Sequence, residues 1–197
     1  IFHEKGIIAR HQKIENYGDQ TITIKNAKSM SLDLPCENYD WLSLYGTHAK
    51  EANLQRFPLH HGVQKIESVR GSPHHQPFFA LASSNTNEFQ GECYGFHLIY
   101  SGNFVAEAEV DQFGKVRAQI GINPDTFSWQ LKSGDTFTTP EAILNYSQNG
   151  FNEMSHNFHW LYQYHLMPKQ FENAKRPVLL NSWEAMYYDI SLEKIEE

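Results

Sequence analysis

The sequence predicts a mainly β protein that begins with a large antiparallel sandwich, continues in a short helical connector and ends in the first strand of a parallel barrel. Three observations predict this order. A hydrophobic period of two prevails to about Thr139, a helical period follows, and an apolar run with polar residues at its carboxyl end comes last. These changes divide the chain into residues 1–138, 139–175 and 176–197.

Short stretches of the first part carry apolar side chains at every second position, which places one face of a strand in a core. They are residues 21–25, 94–100, 116–122 and 127–131. Residues 78–82 are apolar throughout, as is typical of a central strand that is covered on both faces. Many short strands joined by turns rich in Gly, Asn and Asp favour an antiparallel sandwich.

The segment after residue 138 predicts two helices. Thr139, Pro140 and Glu141 are a capping residue, a residue tolerated in the first turn and a carboxylate that suits the positive end of the helix dipole. We therefore expect a helix from there to residues 148–150. A second, amphipathic helix that stops at residues 167–168 is predicted from apolar positions three and four apart: Phe151, Met154, Phe158, Leu161 and His165.

The last part opens with the apolar run Val178, Leu179 and Leu180, and polar residues follow it. Strands of a parallel barrel are packed at their base and carry chemistry at their carboxyl edge. We expect such a strand at residues 178–183 and the opening turns of a helix at residues 191–197. Because no parallel neighbours follow, we expect the chain to be a segment of a longer protein.

Composition excludes several classes of protein. With 40% hydrophobic and 20% charged residues the chain is neither disordered nor membrane-spanning. A net charge of −7 argues against nucleic acid or anionic lipid as a partner. Cys36 and Cys93 lie far apart without a CxxC motif, and the chain does not start with a signal peptide. We expect two buried thiols in a reducing compartment and a cytoplasmic location.

The eleven histidines do not form a recognisable metal motif. The adjacent pairs at residues 60–61 and 74–75 would point to opposite faces of a strand. His156 and His159 are suitably spaced on a helix, but no acidic ligand accompanies them at the spacing of known zinc motifs. The sequence therefore predicts no metal and no cofactor.

Two polar stretches are candidates for an interface or for ligand recognition. One contains Arg56, and the other contains Arg70, His75 and Gln76. Polar loops beside strands often have such roles. The alternative is that Glu67 and Arg70 belong to an ordinary hydrogen-bonded strand edge, since surface ion pairs are common and weak.

Trp183 is the candidate substrate-binding residue. It follows the apolar run, with Asn181 and Glu184 beside it. At the mouth of a barrel its ring would form the wall of a sugar pocket, because barrels place their sites at that edge. Packing in the core remains an alternative.

Residues 176–189 are very similar to the first barrel strand of glycoside hydrolase family 36, the bacterial α-galactosidases. The resemblance extends in the family's order over nearly the whole chain. The stretches that carry it are residues 66–71, 75–81, 95–96, 100–104, 117–123, 145–155 and 165–168.

This resemblance implies an amino-terminal β-supersandwich, a catalytic (β/α)8 barrel and a small carboxyl-terminal β-domain. Family members remove terminal α-1,6-linked galactose from melibiose, raffinose and related sugars with retention of configuration. Their catalytic aspartates lie on later barrel strands, so this chain is expected to contain no catalytic residue and to be inactive alone. The family's pocket Trp matches Trp183.

Family tetramers use the sandwich in subunit contacts, so the resemblance also implies a homo-oligomer, with Arg56 and residues 70–76 as interface candidates. The chain departs from the family pattern at Ser182, Tyr188, residues 73–74 and residues 45–51. These departures leave the substrate preference open. The competing interpretation is a freestanding, lectin-like sandwich that binds carbohydrate, although a complete module would not carry the strand at residues 178–183.

Overall fold

The structure, a computed structural model, describes residues 1–35, 38–70 and 74–196. Two compact units make up the chain, Ile1–Trp160 and Leu161–Glu197. The first unit contains the following strands: β1 Ile7–Arg10, β2 Lys13–Glu15, β3 Ile22–Ile24, β4 Lys28–Leu34, β5 Tyr39–Thr47, β6 Lys50–Pro58, β7 Gly62–Glu67, β8 His75–Ser83, β9 Cys93–Ile99, β10 Phe104–Val110, β11 Val116–Ile122, β12 Trp129–Leu131, β13 Thr136–Thr138 and β14 Glu141–Ser147.

Two antiparallel sheets form the sandwich. A six-stranded sheet has the order β1-β14-β9-β8-β5-β6, and a four-stranded sheet has the order β4-β11-β10-β7. Two further sheets have two strands each: β12 pairs with β3, and β13 pairs with β2. The predicted antiparallel sandwich is therefore confirmed.

Side chains from both sheets share one core. On the six-stranded sheet, the ring of Phe79 stacks on Trp41 at 4.6 Å and on Phe96 at 4.5 Å between ring centroids. Ala106 and Ile120 of the four-stranded sheet are fully buried in the same cluster. Aromatic rings suit this position because each removes a large apolar area from water.

Strand β8 is central, as the sequence predicts. It pairs with β5 on one side and β9 on the other, and its residues Phe79, Ala80, Leu81 and Ala82 have no exposed surface. Because both faces of this strand are covered, apolar side chains occupy both of them and the sequence does not alternate with polar residues.

The helix expected from Thr139 is a wrong prediction, because this segment is strand β14. It lies between β1 and β9, pairing with β9 over Glu141–Ser147 and with β1 over residues 142–145. Thr139 bonds instead to Gln12, whose backbone N–H donates to the Thr hydroxyl at 2.9 Å. A proline is tolerated at the start of a strand as well as of a helix, so Pro140 did not distinguish the two.

The second predicted helix is confirmed. Helix α1 covers Gly150–Leu161, and a π-helical turn, Tyr162–Leu166, continues it to the expected end. Within the first unit α1 packs on the outer face of the six-stranded sheet. There Phe158 meets Phe78 edge-to-face at 5.7 Å between ring centroids.

The second unit is mostly exposed and contains short helices: α2 Lys169–Glu172, α3 Trp183–Met186 and α4 Leu192–Glu196. The strand predicted at residues 178–183 is not formed. Val178 and Leu179 are fully or almost fully exposed, and no described strand pairs with this segment. A parallel strand is stable only between hydrogen-bonded neighbours. Helix α4 confirms the helical turns expected at residues 191–197, of which Glu197 lies outside the described residues.

The predicted division at residues 138 and 175 stays a prediction. Cys93 is buried and free, whereas Cys36 lies outside the described residues. Among the helices that the structure describes, none combines the length and the apolar character needed to cross a membrane.

Candidate functional site

The tip of the β5–β6 hairpin, together with Arg70, His74 and Gln76, forms a cleft of about 440 Å³. Its walls carry polar and charged groups, which suit the hydroxyls of a sugar or the polar rim of an interface. The lining residues are Gly46, Thr47, His48, Glu51, Ala52, Arg70, His74 and Gln76.

Local backbone geometry builds this cleft. The N–H of Gly46 donates to the carbonyl of His74 at 2.7 Å, which joins the two segments. A Cβ on Gly46 would lie 2.8 Å from the Cα of Glu51, so only glycine permits this approach. Ala49 and Ala52 have φ of 60° and 55°, a left-handed conformation that costs energy for residues other than glycine. These backbone contacts and dihedral angles define the conformation of the hairpin tip.

Two predicted site residues, Arg70 and Gln76, line this cleft together. His75 adjoins it: its ring lies 6.3 Å from the ring of Tyr45, and burial together with the neighbouring His74 lowers the pKa of His75. Residues 71–73 of the same predicted segment lie outside the described residues. Sequence reasoning named residues 45–51 only as a departure from the family pattern and did not select Thr47, His48 or Glu51 as site residues, since only hairpin pairing brings them into one cleft with Arg70.

Arg56 has a different environment from the other predicted residues and does not line the cleft. Its Nε bonds to Asp40 Oδ2 at 2.7 Å, and its terminal nitrogens donate to the carbonyls of Thr86 at 2.7 Å and Ser84 at 3.0 Å. The guanidinium also lies 5.6 Å from the ring centroid of Phe151. These contacts are all within the chain. An interface role for Arg56 stays a prediction.

Glu67 belongs to a hydrogen-bonded strand edge. It pairs with Lys65 at 2.8 Å and accepts a bond from the buried Asn123 at 3.1 Å, and these partners lower the pKa of Glu67. Asn123 also donates toward the carbonyls of Ser68 and Phe104, each at 3.4 Å. The contacts of Glu67 with Lys65 and Asn123 are thus those of an ordinary hydrogen-bonded strand edge, which is the alternative stated for this stretch.

Trp183 is the first residue of α3, and about half of its surface is exposed. Its ring lies edge-to-face against Tyr187 and Tyr188, with centroids 5.2 and 5.1 Å away. The backbone N–H of Trp183 donates to Asn181 Oδ1 at 3.0 Å, and the Asn181 side-chain amide donates to Glu184 at 3.2 Å. An exposed aromatic face beside polar side chains is the arrangement that apolar contact with a sugar ring requires.

Glycoside hydrolysis needs two carboxyl groups on either side of the bond, and Glu51 is the one acidic side chain among the described lining residues of the cleft. Nowhere in residues 1–35, 38–70 and 74–196 do three or more His, Cys, Asp or Glu side chains come close enough to hold a metal ion.

Comparison with known proteins assigns the family. Residues 1–132 match the Glycosyl hydrolase family 36 N-terminal domain, and residues 136–197 match Melibiase. Alpha-galactosidase AgaA of Geobacillus stearothermophilus is 45% identical over 98% of this chain and 27% of its own length. The chain thus spans about a quarter of the length of the curated relatives it matches.

Solved structures agree with this assignment. The α-galactosidase from Lactobacillus brevis has a TM-score of 0.92 at 42% identity, over 100% of this chain and 27% of that one. A variant of AgaA in complex with raffinose has a TM-score of 0.89 at 46% identity, over 96% and 27% of the two chains. Sequence, fold and order of elements agree along the chain, which therefore belongs to glycoside hydrolase family 36.

Proposed function

We propose that the protein carrying this chain is an α-galactosidase that removes terminal α-1,6-linked galactose from sugars of the melibiose and raffinose type with retention. The observation that carries the proposal is 45% identity to AgaA over 98% of the chain. The complex of an AgaA variant with raffinose supports the substrate class. Retention requires a nucleophilic carboxylate and an acid/base carboxyl about 5 to 5.5 Å apart.

The proposed role of this chain within the enzyme is non-catalytic. The sandwich supports a catalytic barrel, Trp183 contacts the galactose ring, and the chain alone does not turn over substrate. Residues of the cleft, with Arg70, His75 and Gln76 among or beside them, serve as an interface between copies or lie near the substrate. The wider expectation is a cytoplasmic homo-oligomer. The polar lining of the cleft supports these roles because interface rims and sugar sites both use such groups.

The test is an assay of the longest natural form of the protein on melibiose and raffinose. We expect galactose to be released, and proton NMR in the first minutes should show the α-anomer before mutarotation. The isolated 197-residue chain, as the control, should release none. Absence of galactose from the long form would refute the activity, and initial β-anomer would refute retention.

A lectin-like module is the second candidate, because the cleft offers polar groups without a pair of carboxylates. Calorimetric titration of the isolated chain with galactose, with glucose as the matched control, distinguishes the two. Tight binding selective for galactose would favour the module. The enzyme proposal expects no measurable binding, since the chain contributes only part of the galactose pocket.

A further inference from the structure

Arg56 holds the loop that joins β8 to β9. The strap is defined as residues 83–92, which are the last residue of β8 and the loop that follows it. The guanidinium donates to the carbonyls of Thr86 at 2.7 Å, Ser84 at 3.0 Å and Ser83 at 3.3 Å, while its Nε bonds to Asp40 at 2.7 Å. Arg56 lies on the edge strand β6, so one side chain ties three strap carbonyls to the sheet edge. The planar guanidinium of arginine can donate to several carbonyls at once, whereas the ammonium of lysine is a compact point charge.

The strap in turn caps helix α1. The first amides of a helix have no acceptor within the helix. Here the N–H of Gly150 donates to Gly91, that of Phe151 to Asn87 and that of Asn152 to Glu88, each at 3.0 Å. The fit is close, since a Cβ on Gly150 would lie 2.3 Å from the Asn87 carbonyl oxygen. The first turn of α1 therefore depends on the position of the strap.

Hydrogen bonds within the strap connect these two sets of contacts. The side-chain oxygen of Asn87 accepts from the N–H of Phe89 at 2.9 Å and of Gln90 at 3.2 Å. The Asn87 N–H donates back to Gln90, and the hydroxyl of Thr86 bonds to the Glu92 carbonyl at 2.8 Å. These bonds link the residues that contact Arg56 to the residues that contact α1.

Arg56 also touches the helix directly, with its guanidinium 5.6 Å from the ring centroid of Phe151. This geometry is within the range of a cation–π contact. Arg56 and the strap therefore both contact the first turn of α1. This helix leads into the second unit at Leu161.

We propose that Arg56 is a latch: it holds the strap and, through it, the first turn of α1, so that strap and helix start open together as one local unfolding unit while the sandwich stays folded. The inference does not rest on the proposed enzymatic function. It concerns the local stability of the segment where the sandwich passes into the connecting helix.

Hydrogen–deuterium exchange on the intact protein, followed by mass spectrometry of peptides, tests the latch. Arg56→Gln removes the charge and most of the donors. We expect amides of residues 84–92 and 150–155 to exchange at least about tenfold faster and by a common factor, while residues 104–122 stay within about twofold of the parent. A common factor confined to these two segments is the signature of one local opening unit, because a general loss of stability would also accelerate exchange in residues 104–122.

Two further variants separate the causes. Asp40→Asn removes the ion pair but leaves the carbonyl contacts, so exchange in the strap should stay within about threefold of the parent. Arg117→Gln is the matched control, because Arg117 makes an exposed pair with Asp33 at 2.7 Å, and it should leave the strap unchanged.

If Arg56→Gln does not fold, Arg56→Lys replaces it, with the same pattern at smaller amplitude. Three results would overturn the latch: faster exchange spread evenly over both sheets, acceleration of only the strap or only the helix start, or no acceleration in either.

Discussion

His97 is a titratable residue that is only partly exposed to water. It lies on β9, and its ring approaches that of Phe158 on α1, with centroids 6.4 Å apart. Burial disfavours the charged imidazolium and lowers the pKa of His97 to about 4 from an ordinary value of 6.5. The unfolded chain therefore takes up this proton at a higher pH than the folded chain does.

We predict that His97 makes the protein less stable as the pH falls. Above pH 6.5 the residue is neutral in both states and has no effect. Between pH 6.5 and about 4 only the unfolded state binds the proton, which lowers the free energy of unfolding by up to about 3 kcal/mol. Urea denaturation of the parent and of His97→Gln at pH 7, 6, 5 and 4 measures this. Parallel curves for the two proteins would contradict the prediction.

For Trp183 we predict a catalytic effect in the long form of the enzyme. Trp183→Ala should lower kcat/KM on melibiose at least about tenfold, a cost of about 1.4 kcal/mol, because the variant loses the aromatic face proposed to contact galactose. Trp183→Phe is the matched control and should retain most of the activity. Unchanged kinetics in Trp183→Ala would remove this residue from the pocket.

At the scale of elements, helix α1 depends on a glycine in the strand beneath it. Gly95 of β9 lies under Met154 and Phe158, and a Cβ there would be 2.7 Å from the Met sulfur and 2.6 Å from the Phe ring. Neither distance is a possible contact for carbon, so a side chain at this position would force Met154 and Phe158, or the helix that carries them, to shift. The absence of a side chain thus sets how closely α1 packs.

Gly95→Ala should lower the free energy of unfolding by about 1 to 3 kcal/mol, the usual cost of overpacking. A second change, Met154→Ala, makes room for the added methyl group, so the double variant should lose less than the sum of the two single variants. Denaturation with guanidinium chloride of all four proteins gives the coupling. Strict additivity would show that the helix does not rest on Gly95.

At the scale of the whole molecule, the two units differ in how much apolar surface they bury. The first unit places its large side chains between two sheets. In the second unit Val178, Leu179, Leu180 and Tyr188 are mostly exposed, in the segment whose predicted strand is not formed. Exposed apolar runs of this kind are typical of surfaces that another part of a protein covers.

Limited proteolysis of the 197-residue chain with chymotrypsin should therefore cut the second unit first. We expect cleavage after Leu179, Leu180, Tyr187 or Tyr188, because these residues are exposed and no strand ladder protects their backbone. Mass spectrometry should then find a resistant fragment that contains residues 1–160. First cuts inside the sandwich would contradict this expectation.

The alternating strands, the amphipathic helix α1 and the family can all be predicted from the order of the residues. Strands β9 and β11 follow a period of two, and α1 follows a period near 3.6, because each has one face in a core and the side-chain period records that face. Side-chain alternation is a local property and is therefore visible in the sequence. The similarity of residues 176–189 to a known barrel strand is likewise a property of the letters alone.

The conformation of residues 141–147 and the surroundings of the site residues depend on contacts between segments that are distant in the chain. The capping signal at Thr139 contributes about 1 kcal/mol, whereas burial of Ile143 and Leu144 contributes about 1.5 to 3 kcal/mol each, in addition to two hydrogen-bonded neighbours. Strap carbonyls contact Arg56 from up to 30 positions away in the chain. Such contacts exist only after the strands have paired, and no local pattern of residues contains them.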